Sequence, residues 1–382
     1  MNFDPDKRKS IFTEDWTSLK QDIKDFDSLK VHFAIGDEST DKKPLIDILK
    51  NQLNINAVLN DNKSQSEAEN ERFESTISFP FFLLQVSAVI RKLREDNTSL
   101  DDNHFLENLS WSWRTCDEAK NFLFHLLKCR VLFDKYVLKR EFARDYKETG
   151  KWSLQRLEKY QDNRKNNDKP KYVGTYGDES KDNKILRTLQ SCLRITYTSP
   201  KTMHWISVVL TKLLDNENAN LILLLENYCI KKISDSDYKN KTGFGFERIV
   251  FSYLDYLIYR DGYSFNGEII ISPLTDWYFQ FRSSIEHFYP QHPVEGEYWD
   301  QEDLNSFGNL ALITISGNSK FSNLPPLGKI NSYQSIINQS LKLQIMRKTT
   351  EFDNGNWSQE KANVHKEEMY KIIEKNILSL EN

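Results

Sequence analysis

The chain has 382 residues, of which 38% are hydrophobic, 13% aromatic and 28% charged. That length can bury a sizeable core and hold two or three domains, and the aromatic content excludes a disordered chain despite the hydrophilic average. A net charge of −4 excludes a broadly basic surface, so nucleic-acid contact would have to come from a local basic patch or from a partner.

Cys116, Cys129, Cys192 and Cys229 are far apart with no paired spacing, which argues against a disulfide framework or a zinc site and fits a reducing cytosol. The opening MNFDPDKRKS lacks the apolar stretch of a signal peptide. The most apolar segment, 77–90, contains Pro80 and is too short to span a bilayer. The expectation is a soluble cytoplasmic protein with no membrane association.

In chain order, residues 11–59 read as helices, with Leu45, Ile48, Leu49 and Leu53 at helical spacing,. Residues 60–74 are polar and aperiodic, a linker or exposed loop. From Ile77 the segment ISFPFFLLQVSAVIRKL predicts a helix buried in a bundle, with Pro80 in its first turn. Residues 118–146 predict another long helix, and its basic run Lys135–Arg144 a solvated helix face rather than a DNA-backbone patch. The polar stretch 161–184 predicts a long surface loop. Helical patterns return at 184–196, 201–214, 221–233 and 245–259.

Character changes after Asp261-Gly262. GEIIISPL reads as a short strand, 279–288 as a strand leading into His287, and 310–315 as another; a short helix opens at Asn318,. The fold class is therefore mainly α: an N-terminal helical segment and linker (1–75), an α-helical domain (76–262), and an α+β domain (263–382).

The chemistry concentrates in that last part. Glu286 directly precedes His287, and Asn309 and Asn318 follow the histidine by 22 and 31 positions. A neutral imidazole, with a reference pKa of about 6.5, can take a proton from water. A carboxylate and an amide oxygen can hold a hard cation such as Mg²⁺ or Mn²⁺ against a phosphate. Adjacent residues on a strand point to opposite sides unless the strand ends or bulges there, and Tyr289-Pro290 suggests that it ends. His292 reads as loop surface and His365 as structural or exposed. His104, His125 and His204 read as packing or capping residues, and Trp111 and Trp113 as interface packing rather than base-stacking platforms.

SIEHFYPQ, FGNLALI and GNSKFSN, taken in order, resemble the HNH nuclease domain of GmrSD-type modification-dependent restriction enzymes. FPFFLLQV, FHLLKCRVLFDKYVLKRE and FERIVFSYLDYLIYRDG extend the resemblance to roughly residues 76–382. It implies a ββα-metal finger in which His287 is the general base, Glu286 and Asn318 are ligands of one divalent metal (Mg²⁺ or Mn²⁺), and Asn309 supports the loop and the histidine. It makes Lys320 and Asn323 candidate phosphate contacts. Such enzymes carry a DGQQR-containing nucleotide-hydrolysing domain before this region, and no DGQQR segment occurs here. The sensor is expected on a separate polypeptide, or else lost or detached. The resulting expectation is a metal-dependent endonuclease acting on foreign, perhaps modified, DNA in anti-phage restriction. The alternatives are an inactive DNA- or partner-binding scaffold and an RNA-directed toxin nuclease.

Overall fold

A computed structural model describes residues 5–33, 72–92, 99–162, 167–294 and 296–381. The helix expected around Leu45–Leu53 and most of the linker expected at 60–74 lie outside these residues. Among the described residues the N-terminal segment has short helices, α1 (Pro5–Ile11) and α2 (Phe26–Lys30), joined by a turn closed by a Phe12–Leu19 bridge. Continuous helix over 12–25 is thus corrected. The intervening TEDWTSLKQD has no apolar period, and Asp15 instead accepts from Thr13 and Thr17 in a local turn,.

Helices α3 (Phe79–Ile90), α4 (Phe105–Leu109) and α5 (Cys116–Tyr136) follow. α5 starts at a capping box in which Thr115 and Glu118 satisfy each other's backbone N–H,. It stops ten residues before the expected end, and the chain turns into strand. β2 (Lys139–Glu141) lies between β1 (Phe73–Ser75) and β3 (Lys151–Ser153) in an antiparallel sheet. The basic run is therefore not one helix face: Lys135 pairs with Glu217 at 2.6 Å, and Lys139 Nζ donates to the carbonyls of Asp134 and Gln155.

The loop expected at 161–184 is also corrected. β4 (Gln155–Asp162) and β5 (Asn167–Gly174) form an antiparallel hairpin in full register. Its alternation is between polar residue types, so no hydrophobic period announced it; backbone pairing and cross-strand charges such as Glu158 opposite Lys171 carry it instead. Helices α6 (Lys181–Thr196), α7 (Trp205–Asp215), α8 (Leu221–Asp235) and α9 (Arg248–Asp261) follow close to their expected places. α9 is buried continuously from Ile249 to Tyr259, as befits a helix apolar on every side.

Beyond α9, β6 (Tyr263–Phe265) pairs with β7 (Glu268–Ile271), and β8 (Ser284–His287) pairs with β9 (Leu310–Ile313). The helices here are α10 (Gln301–Leu304), α11 (Ile315–Phe321), α12 (Pro326–Ser332), α13 (Gln334–Ile337), α14 (Leu341–Phe352) and α15 (Gln359–Glu381). The strand expected from Phe279 begins only at Ser284, because the preceding segment turns Arg282 inward. α11 opens at Ile315 rather than Asn318, where Thr314 caps it by accepting from Gly317 N–H,.

The main core runs from Ile77 to Ile373 and includes Tyr253, Leu257, Ile285, Leu310, Leu312 and Ile345, so residues 76–262 and 263–382 share it. A second cluster, with Phe288, Ala311, Ile313, Phe321 and Trp357, fills the other face of the β8–β9 hairpin. Among the described residues no helix is long and apolar enough to cross a membrane.

One buried ion pair joins the two parts. Arg282 Nη1 donates to Asp255 Oδ2 at 2.7 Å, with both residues 1% exposed. Asp255 Oδ1 accepts from Lys342 N–H at 2.8 Å and Ser340 Oγ at 3.2 Å, at the start of α14. Arg282 also donates to Gln339 O and lies near the rings of Phe279 and Trp277. Removing one partner of such a pair strands the other charge, at a cost of about 3–5 kcal/mol. Asp255→Ala should lower stability by that order in urea unfolding, while Asp255→Ala with Arg282→Met should recover much of the loss. Equal stability of the single variant and the parent would contradict this role.

Candidate active site

Strand β8, the long loop 288–309, strand β9 and helix α11 follow one another as strand, loop, strand, helix. The register is regular: Ser284 opposes Ile313, Ile285 opposes Leu312, Glu286 opposes Ala311 and His287 opposes Leu310. Because side chains alternate across a strand, Ile285 and His287 share one face with Leu310 and Leu312, toward the main core. Ser284 and Glu286 share the other face with Ala311 and Ile313, toward the second core. β8 has no bulge to bring Glu286 and His287 onto one face, but it does end at His287, where Phe288 N–H bonds to Asn309 O at 2.8 Å.

His287 is 5% exposed. Its Nε2 lies 2.9 Å from Asn305 Oδ1, and its ring meets that of Phe244 edge to face at 6.0 Å. Asn305 Nδ2 donates to Gln301 O and Oε1, each at 3.0 Å, which turns its oxygen toward the imidazole. Nε2 therefore carries the proton and Nδ1 the lone pair. Burial pushes the imidazole below its ordinary pKa; the Asn305 bond opposes that shift and the nearby Lys329 adds to it. The ring is thus neutral at physiological pH, with one nitrogen free to accept a proton.

On the opposite face, Glu286 Oε1 accepts from Lys329 Nζ at 2.8 Å, and the same ammonium donates to His287 O. Lys329 is fully buried. Burial works against both charges, raising Glu286 and lowering Lys329, while each partner's charge resists the shift. Asn318, halfway along α11, donates through Nδ2 to Ser284 Oγ at 2.8 Å, which turns its amide oxygen away from Ser284. Lys320 and Asn323 are exposed at the end of α11 and just beyond.

Asn309 is fully buried and braces the loop with both ends of its amide. Oδ1 accepts from Tyr289 N–H at 2.8 Å and Trp357 Nε1 at 3.3 Å; Nδ2 donates to Tyr289 O and Leu304 O. The amide has nothing left to offer a ligand. The structure thus brings Glu286 and Asn318 to one face through Ser284, sets His287 on the other, and ties Asn309 to the segment directly after the histidine.

Three residues with a part here were not picked out from sequence: Asn305, Lys329 and Lys342. Lys342 Nζ donates to Leu310 O at 2.7 Å, while Lys329 takes the carbonyl of the opposing His287. Buried lysines are uncommon, but nothing in the sequence marks which lysines are buried. His292 is exposed, as expected. Trp111 and Trp113 both pack against Phe122, and Trp111 donates to Ser87.

The oxygen donors near β8 are few, and the one carboxylate, Glu286, is already paired with the buried Lys329 ammonium. Glu286, Asn318 and Ser284 offer oxygen only, and among the described residues no group of three or more His, Cys, Asp or Glu gathers to hold a metal. One carboxylate with neutral oxygens is the kind of set that serves Mg²⁺, whose remaining positions go to water and phosphate; it does not suit zinc.

Residues 232–372 match the family model for the C-terminal domain of GmrSD restriction endonucleases. The matched segment is less than half of the chain and is similar to a GmrSD-type C-terminal domain. FERIVFSYLDYLIYRDG and all three motif blocks fall inside it, whereas FPFFLLQV and FHLLKCRVLFDKYVLKRE fall outside. Comparisons with curated proteins and with solved structures found no match.

The glycine of the GNL block has a steric role. A Cβ on Gly308 would lie 1.8 Å from Ala362 O on α15, so only glycine lets the turn before β9 approach that helix. Gly308→Ala should force the two apart, destabilise the chain by about 1–3 kcal/mol, and shift the denaturant midpoint accordingly. An unchanged midpoint would show that the contact gives way freely.

His365 stacks edge-on against Trp357, the partner of Asn309, and its Nε2 is buried without a hydrogen bond. Burial, with Lys342 adding to it, holds this imidazole well below its ordinary pKa. On unfolding it takes up a proton once pH is below about 6.5. The unfolded state then binds more protons, so stability falls as pH drops below that point and is unaffected above it. His365→Phe should flatten the decline in unfolding free energy between about pH 7 and pH 5; an identical slope in both proteins would refute the assignment.

Proposed function

We propose that the β8–β9–α11 unit is an HNH-type, metal-dependent endonuclease site that cuts foreign DNA, modified DNA included, in anti-phage restriction. The observation that carries this reading is the His287–Asn305 pair. It is a buried imidazole held neutral in one tautomer, at the strand end where the motif places a base, within the segment that matches the restriction-endonuclease domain.

Nδ1 of His287 takes a proton from water as the oxygen attacks phosphorus. The ring then carries positive charge in a buried setting, and the Nε2–H bond to Asn305 strengthens against it. Glu286 and Asn318 would hold the metal from the neighbouring face, with Ser284 orienting Asn318. When bound, that ion supplies charge neutralisation for the phosphate and the departing oxygen. Because β8 holds Glu286 and His287 on opposite faces, their joint action on one phosphate would have to take place past the strand end at His287. Lys320 and Asn323, exposed at the end of α11 and just beyond, would contact flanking phosphates. Asn309 fixes the chain just after His287.

The net charge of −4 gives little sequence-independent affinity for DNA. A separate nucleotide-hydrolysing, DGQQR-containing subunit docked on the chain would supply recognition and the trigger.

His287→Ala should reduce cleavage about 10²–10⁴-fold, the usual contribution of general base catalysis, with a lowered but still cooperative thermal transition, since the imidazole is buried,. Excess EDTA should abolish cutting by the parent protein, and Mg²⁺ or Mn²⁺ should restore it. Nicking of plasmid DNA, with and without the partner, provides the measurement. Full activity of a folded His287→Ala protein, or robust cutting in EDTA, would overturn the mechanism.

A further inference from the structure

Phe244 combines features that packing does not explain. Its neighbours in the chain are firmly held: Gly243 N–H donates to Asn305 O at 2.8 Å, and Phe246, 4% exposed, packs against Phe251 and Phe307. Gly243 sits at φ +54°, and a Cβ there would meet Asn305 Oδ1 at 3.2 Å, so the turn is seated directly on the residue that orients His287. Yet Phe244 itself is 69% exposed. A fixed backbone thus holds a large apolar ring in solvent, with its partner ring, the His287 imidazole, at 6.0 Å.

The distance matters under the nuclease reading, on which this inference rests. A water activated by Nδ1 lies roughly 3 Å from it, and the attacked phosphorus about 3–3.5 Å further on. A ring 6.0 Å from the imidazole is at the same range from it as the nucleotides on either side of that phosphate. Aromatic faces stack on nucleobases whatever their sequence, at about 1–3 kcal/mol per base, and apolar side chains can wedge into a base step and unstack it.

We propose that Phe244 is a substrate-stacking residue: its ring packs on the nucleobase flanking the scissile phosphate and holds that phosphate against His287. The site then prefers a locally unstacked or single-stranded step to regular duplex. The contact is independent of sequence, because every base offers a π-face.

The test uses the full chain. Fluorescence anisotropy with labelled oligonucleotides in a His287→Ala background measures binding, and cleavage kinetics in the parent background separate KM from kcat. Phe244→Ala should weaken binding to an oligonucleotide with an unpaired step about 5- to 100-fold, the range that the stacking energy implies. It should raise KM in parallel, while Phe244→Trp retains both. The thermal midpoint should stay put, since the ring is mostly exposed. A 2-aminopurine beside the cut site should be quenched by the His287→Ala protein and not by the double variant. Unchanged binding and KM in Phe244→Ala would overturn the proposal. So would a shifted acid limb of the pH profile at constant KM, which would make Phe244 a shield for the imidazole. Cleavage that depends on His287 but not on Phe244 sinks only the stacking role, whereas a parent protein that neither binds nor cuts DNA, with or without the partner subunit, sinks the nuclease reading itself.

Discussion

The carboxylate of Asp255 is the point on which the C-terminal architecture depends. It sits on the most buried helix, α9, and its two oxygens serve different masters: Arg282 on the approach to β8, and the backbone start of α14. Taking such charges out of water is expensive; here the ion pair and the further bonds of Asp255 to the start of α14 offset it, although Arg282 Nε and Nη2 are buried without a hydrogen bond. The arrangement tolerates little displacement, so the position of β8 relative to α9 is set within narrow limits. His287, at the end of β8, inherits that definition.

From this anchor the hairpin is braced on both sides by lysines. Opposed residues in an antiparallel pair alternate between bonding each other and pointing their polar groups outward. At the His287–Leu310 pair the outward carbonyls are taken by Lys329 and Lys342 respectively. Each ammonium is buried, and burial lowers both, Lys342 to about 7. Lys342 extends from α14, whose first turn is capped through Asp255, so the same helix that reads the ion pair also holds β9. Lys329 satisfies Glu286 as well as the strand end. It therefore keeps a buried carboxylate supplied with a counter-charge, which a cation approaching Glu286 would share or displace.

Sequence made the order of events legible where chemistry and period coincide. The Glu286-His287 pair, the GNL block and the NSK block lie on strand, loop and helix as anticipated, because turn residues and short apolar runs bound them. Residues acting through three-dimensional proximity were not legible. Asn305 resembles any asparagine at a helix end until the loop folds it onto His287, and Lys329 and Lys342 resemble surface lysines until their burial is known. The β4–β5 hairpin was missed for a different reason: polar on both faces, it has no hydrophobic alternation to detect. The overextended α5 shows the reverse error. Val137 and Leu138 continue the apolar pattern of the helix, but they are buried as the chain leaves it for β2, so tertiary packing overrode a local period.

The placement of Glu286 and His287 on opposite faces limits how the site can work. Within a strand, neighbours cannot both face one ligand, and β8 has no bulge to relieve this. Convergence is available only beyond the last residue, where the backbone leaves the sheet and no pleat separates the two sides. That explains why the segment after His287 is so heavily restrained: Asn309 holds Tyr289 by both its N–H and its carbonyl, and Tyr289 stacks on Trp299 at 4.2 Å. If the chain wandered there, the strand end would no longer hold the imidazole and the carboxylate in fixed positions. The bracing asparagine, the glycine that admits α15 and the tryptophan that bonds the asparagine thus serve one geometric need. They hold the end of β8 in one place, and the proposed joint action of groups from its two faces rests on that.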